Sequence, residues 1–392
     1  MHIDPRDRLI CAGDETDPSD GPPGAPSPAS TPIVQTSLFT FSDLSALQAG
    51  FGTEHATTLY TRGRNPTVQA LERKLAALER GESCLCFGSG MAAVSAALLG
   101  ELRAGDHLLF VNDIYGPTLQ LAEFLQRFGI EHDIVLDLDP GSIEAAIRTN
   151  TRLMWLESPG TMRFRVLDLP AVTALARERG VVTAIDNSWA TPLCQKPLTL
   201  GVDIVMHTCS KYIGGHSDVI AGALVTSAER AERLFYSTYL LNGGILAPFD
   251  AWLLLRGLAT LPVRLAQHEE DALRVIAFLE AHPAVRRVHH PSVGEGRRLA
   301  AEQMSGFTGL LSFELVRDDF DSVRRVIDAL RHFRVGVSWG GVESLVISPN
   351  RGTNEARLSE LGIPTGLIRL SVGLEGAPLL IEDLAAALDA LA

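Results

Sequence analysis

Lysine is nearly absent from this sequence. Among 392 residues it occurs three times, as Lys74, Lys196 and Lys211, while arginine supplies the rest of the 34 basic side chains. Chemistry that requires a side-chain amine therefore has three places to sit. A positive excess is missing too. The net charge is −13, which argues against nucleic acid or an anionic membrane as the main partner, since both reward a basic surface. No apolar run reaches membrane-spanning length and the N-terminus carries no apolar signal core, so a cytoplasmic protein is expected. Cysteine is limited to Cys11, Cys84, Cys86, Cys194 and Cys209. Their number is odd and their spacing lacks zinc-type pairs, so free thiols in a reducing compartment are expected, and no bound metal.

Apolar residues are plentiful, at 46 % of the chain, which suffices for a large core and two or three domains. Residues 1–61 read as an N-terminal arm. It is expected to be extended or mobile over 12–32, where "AGDETDPSDGPPGAPSPASTP" cannot form a packed core. The stretch "NPTVQALERKLAALERG" predicts a helix. Asn65 caps it, Pro66 suits its first turn, Val68, Leu71, Leu75 and Leu78 form one stripe, and Gly81 can end it. Over 62–246, expected to be the large domain, short apolar strands ("HLLFV", "LMWLE", "VVTAID", "DIVMHT", "GALVT") alternate with helices such as "GMAAVSAALLGEL", "TLQLAEFLQRF" and "DLPAVTALARERG". That alternation predicts an α/β fold whose mostly parallel central sheet is covered by helices on both faces. Over 247–392 a long amphipathic helix, with a kink expected at Pro262, precedes mixed strands and helices, which predicts a smaller C-terminal α+β domain.

Of the three lysines, Lys74 lies in a charged helix and Lys196 in a connecting loop, and both read as surface residues. Lys211, in "HTCSKYIGGHSD", follows an apolar strand at the end where open α/β sheets place ligands. Desolvated there, it would hold a neutral amine able to form a Schiff base. A plain surface lysine is the alternative. Thr208 and Ser210 offer hydroxyls of the kind a phosphate site needs. Gly88 and Gly90 in "FGSGMAAVSAALLG" open a helix whose N-terminus suits an anion, or are a simple turn into a core helix. Asp186 ends the strand "VVTAID", where a carboxylate must meet a cation or several donors, or else caps a turn. Tyr115 in "VNDIYGPT" can stack on a flat ring or fill a half-buried corner of the core. An amine, a carboxylate for a pyridinium nitrogen, an anion-binding helix start and an aromatic ring together describe a pyridoxal phosphate site. His289 and His290, beside Pro291 in an expected loop, do not make a metal pair. Trp189 and Trp252 read as core.

The motifs "YTRGRNPT", "GSGMAA", "YGPT", "ESPG", "AIDNSWATP", "CSKYIGGHSD", "SWGGVESL" and "RLSVGLE" follow one another in a similarity that runs from about residue 32 to the C-terminus. In that combination the chain resembles the Cys/Met-metabolism family of pyridoxal-phosphate enzymes, the trans-sulfuration group of cystathionine and methionine lyases and synthases. The resemblance implies a fold-type I transferase architecture. It implies that Lys211 binds the cofactor covalently and moves protons, that Asp186 pairs with the pyridine nitrogen, and that Tyr115 stacks on the ring and aids protonation. Gly90, Met91, Thr208 and Ser210 would hold the phosphate. Tyr60 and Arg62 match residues that reach the phosphate of a neighbouring subunit, Tyr60 also lying near the substrate. Arg369 matches the arginine that grips the substrate carboxylate, with help from the Ser338 region. Such sharing implies an obligate homodimer, usually assembled into a tetramer, acting on a small amino-acid substrate.

Four features resemble bacterial cystathionine β-lyases: Pro117, Thr161 in place of the family's common asparagine, Trp339, and "GHSD" after the lysine. Methionine γ-lyases typically carry a cysteine where Pro117 stands. Val337 occupies a position that is acidic in many γ-acting relatives. Val342 stands where an aromatic is common and Ser188 where a threonine is usual, and "STYLLNGGILAP" departs from the family pattern. The expected activity is a carbon–sulfur lyase that splits cystathionine by β-elimination into homocysteine, pyruvate and ammonia. γ-Elimination, γ-replacement, a specialised amino-acid lyase of secondary metabolism, transamination and a cofactor-binding regulator stay open on sequence alone.

Overall fold

A computed structural model describes residues 1–13 and 28–391. Of the arm expected over 12–32, residues 14–27 lie outside the described residues. The arm holds two helices that the sequence reading did not foresee, α1 (Pro5–Ala12) and α2 (Leu44–Phe51). Asp4 and Asp43 cap them through side-chain hydrogen bonds to Arg6 N–H and Ala46 N–H. Next come α3 (Pro66–Glu79), β1 (Ser83–Phe87), α4 (Gly90–Glu101), β2 (His107–Val111), α5 (Gly116–Leu125), β3 (Glu131–Val135), α6 (Pro140–Ala146) and β4 (Thr151–Glu157). They are followed by α7 (Leu169–Glu178), β5 (Val182–Asp186), α8 (Thr191–Cys194), β6 (Ile204–His207) and β7 (Gly222–Thr226). Asn65 caps α3 as expected. At the other end Arg80 takes the left-handed conformation, φ 62°, one residue before Gly81.

Among the described residues these strands form one seven-stranded sheet in the order β1-β7-β6-β5-β4-β2-β3. Only β7 runs against the rest, pairing antiparallel with both β1 and β6. Period-two alternation feeds two cores, one on each face. Leu109, Val111, Met154, Leu156, Ile185 and Val205 point to the face covered by α3 and α7. Leu108, Phe110, Leu153, Trp155, Ala184 and Ile204 point to the face covered by α4 and α5.

The chain then continues through α9 (Ala228–Leu234), a π-helical turn over Phe235–Tyr239, α10 (Leu240–Asn242) and the 34-residue α11 (Pro248–Ala281). The remaining elements are β8 (Val285–His289), α12 (Arg297–Gln303), β9 (Leu310–Leu315), α13 (Phe320–Ala329), β10 (Arg334–Val335), β11 (Leu345–Ile347), α14 (Glu355–Glu360), β12 (Leu367–Ser371) and α15 (Ala377–Asp389). A second sheet has the order β10-β11-β12-β9-β8. Among the described residues no helix is long and apolar enough to cross a membrane.

Three expectations are corrected here. Lys74 is 3 % exposed, not solvated, because α1 packs over α3 and brings Cys11 near its charge. Lys196 is structural: its Nζ donates to Leu78 O and Pro192 O and pairs with the buried Asp7 of α1 at 2.8 Å. His289 lies on β8 and not in a loop, its Nε2 2.5 Å from Glu314 Oε1 across the sheet. The helix α11 continues through Pro262, whose ring is buried, so packing offsets the hydrogen bond that proline removes.

Candidate active site

The carboxyl ends of the parallel strands gather the titratable groups. Asp186 ends β5, and Glu157 ends β4 directly beside it in register. Tyr115 follows β2 at the start of α5, and Lys211 follows β6 after a short turn. Ligands bind at this edge of open α/β sheets because the helix N-termini and the connecting loops converge there.

Lys211 Nζ donates to Ser338 Oγ at 2.7 Å and stands 5.4 Å from the centre of the Trp339 ring. Burial lowers its pKa to about 8. The positive charge of Arg369 adds to that, and Asp186 opposes it. Asp186 accepts the backbone N–H of Ser188 at 2.9 Å and the Ser188 hydroxyl as well. Ser188 Oγ in turn accepts Thr208 N–H at 2.6 Å, so this serine ties the acid to the segment that carries the lysine. Arg369, on β12, is buried, and its Nη2 donates to Val337 O at 3.2 Å. Burial brings its pKa down to about 10. Among the described residues it has no carboxylate partner within ion-pair distance, and a buried cation in that state calls for an anionic ligand.

The anion cradle is built at the start of α4. Ser89 caps the helix, its Oγ accepting Ala92 N–H at 3.0 Å. The amides of Gly90 and Met91 keep no protein acceptor among the described residues, and the helix dipole adds its positive end. A side chain at Gly90 would collide with Thr208 Oγ1, so glycine is what lets the two segments close on a small anion. Ser210 lies beside them, its Oγ accepting Ala221 N–H at 2.9 Å. Free amides, hydroxyls, a desolvated amine, a buried acid and an arginine without a carboxylate partner fit pyridoxal phosphate with an amino-acid substrate.

Tyr60 and Arg62 stand apart from this cluster. Both are exposed, the Arg62 guanidinium lying 5.4 Å from the centre of the Tyr60 ring. No hydrogen bond, ion pair or ring contact among the described residues joins either to Lys211, Asp186 or Arg369. Glu157 escaped the sequence reading, visible there only as the first letter of "ESPG". The stretch "STYLLNGGILAP", noted there as a departure from the family pattern, backs the cradle. Gly244 O accepts Gly88 N–H at 2.8 Å and Ile245 bridges to Phe87, and the π-turn overlaps the start of this stretch, as such turns often occur near functional sites.

The chain is similar to known proteins. The Cys/Met metabolism PLP-dependent enzyme family matches residues 17–389. An L-methionine gamma-lyase from Fusobacterium nucleatum subsp. polymorphum is 40 % identical over 364 residues, covering 90 % of this chain and 91 % of that protein. A cystathionine beta-lyase from Coxiella burnetii is 37 % identical over 397 residues, covering 99 % of this chain and 98 % of that protein. A solved structure of metY from Campylobacter jejuni, carrying an N'-pyridoxyl-lysine-5'-monophosphate, superposes with a TM-score of 0.90 at 29 % identity over 98 % of this chain and 99 % of that one. β- and γ-acting relatives thus stand at nearly equal identity, and what they share is pyridoxal-phosphate-dependent carbon–sulfur chemistry. The chain belongs to the Cys/Met-metabolism family of pyridoxal-phosphate-dependent enzymes.

Proposed function

We propose that this enzyme cleaves L-cystathionine by β-elimination, releasing homocysteine, pyruvate and ammonia. The observation that carries the reading is the loop that faces Lys211. Val337 is apolar where many γ-acting relatives are acidic, Ser338 holds the Lys211 amine, and the Trp339 indole lies against it. β-Elimination needs a base at Cα alone, whereas γ-chemistry needs a second proton removed at Cβ. A bulky ring beside the amine restricts its travel and favours the first.

The bound cofactor supplies an electron sink that stabilises negative charge at Cα. Lys211 anchors it and, once released, takes the Cα proton. Asp186 holds the ring nitrogen charged, and Tyr115 covers the ring. Gly90, Met91, Thr208 and Ser210 hold the phosphate. Arg369 orients the substrate carboxylate through two parallel donors, a geometry that lysine lacks, with Ser338 beside it. Tyr60 and Arg62 complete the phosphate site of a neighbouring subunit, Tyr60 also bordering its substrate. That accounts for their separation from this chain's own cluster and makes the working unit a homodimer, doubled into a tetramer.

The test is to incubate cofactor-loaded enzyme with L-cystathionine and identify the oxo acid. Pyruvate is the expected product, and 2-oxobutanoate, or no oxo acid, would shift the reading to γ-chemistry or another substrate. A second expectation concerns pH. Only the neutral amine captures an aldehyde, so the rate of covalent loading of cofactor-free enzyme should rise with pH and level off above about 8. A rate still climbing at roughly pH 10, the range of an ordinary lysine, would show that the amine is not desolvated.

A further inference from the structure

Glu157 is buried at the end of β4, beside Asp186 at the end of β5. Two carboxyl groups on neighbouring strand ends cannot both stay ionised unless each has its own cations or donors. The groups around them are unevenly shared. Asp113, ahead of α5, is neutralised by Arg163 at 2.5 Å and Arg165 at 3.0 Å. Asp186 has the N–H and the hydroxyl of Ser188, and the fields of His207 and Lys211 act on it. Arg369 donates to Val337 O. Glu157 is left with the Tyr115 N–H, which its Oε2 accepts at 2.8 Å. Among the described residues no lysine or arginine lies within ion-pair distance of it.

We propose that Glu157 is a neutral carboxylic acid in the working enzyme and acts as a positioning residue for Tyr115. This rests on the reading above, in which Asp186 faces the ring nitrogen and Tyr115 the ring plane. As a neutral acid, Glu157 keeps one oxygen for the Tyr115 amide, which fixes the start of α5 and the phenol ring above the cofactor. Its other oxygen carries the proton. Asp186 then carries the only negative charge at the nitrogen. Burial and the Asp186 charge both push the Glu157 pKa well up, in keeping with that assignment.

Glu157→Gln is a near copy of the neutral acid, with a carbonyl for Tyr115 and an NH2 in place of the acid's OH. In the holoenzyme, kcat should stay within about threefold of the parent, and the pH midpoint of the cofactor's visible absorption should not move. Glu157→Asp withdraws the acceptor and should lower kcat by at least roughly tenfold. The deciding readout needs no substrate. The infrared spectrum of the holoenzyme at neutral pH should contain the C=O stretch of a protonated carboxyl group, and Glu157→Gln should remove it. Absence of that band, or a Gln variant as impaired as the Asp variant, overturns the assignment. A fully active Asp variant overturns the positioning role. Because the band is read without turnover, it stands or falls separately from the identity of the oxo acid.

Discussion

Replacing Lys211 with alanine is expected to lower kcat on cystathionine by at least roughly 10³-fold, the scale of removing a positioned acid–base group, with loss of the covalent attachment as well. No other amine can take over. Lys74 is buried beneath α1, and Lys196 is held by two carbonyls and Asp7. Mass spectrometry after borohydride reduction should find the cofactor attached in the parent and not in the variant. Near-parental turnover in the variant would remove Lys211 from the chemistry.

Replacing Arg369 with leucine should have the second-largest effect. Two charge-assisted hydrogen bonds to a carboxylate, each worth roughly 1.5–3 kcal/mol, make about 3–6 kcal/mol, or a fall of roughly 10²–10⁴-fold in kcat/KM. Most of it should fall on KM, with a smaller loss in kcat as orientation is lost. Stability should not follow. Arg369 is a buried cation whose hydrogen-bond partner among the described residues is a single carbonyl, so an apolar side chain there should leave the thermal midpoint unchanged or raised. Steady-state kinetics beside thermal unfolding separates the two, and an unchanged kcat/KM would exclude Arg369 from the substrate site.

The sheet was legible because its central strands are short apolar runs, and such runs declare burial on both faces. β1 ("SCLCF") and β3 ("EHDIV") are not legible as strands, the first because it is a short run with two thiols and a serine and the second because an edge strand can be polar. That β7 runs antiparallel was invisible, since burial carries no direction. Lys211, Asp186 and Tyr115 were readable as residues that follow strands, and the structure brings the first two close enough for their charges to act on each other. Glu157 was not readable, because an acid at a strand end looks like a solvated cap until register sets it against Asp186. Lys74 was misread for the converse reason. Helical periodicity shows which face of α3 is apolar, but not that another helix will cover the charged one.

The long helix α11 has a mechanical consequence. Leu254, Leu258, Leu261 and Leu265 are sunk in a core of the large sheet, and Ala272, Val275, Ile276 and Leu279 in the core of the small one. A rod roughly 50 Å long is thus clamped at both ends. Swinging one unit against the other would require bending the rod or extracting half of it, so the two move as a block.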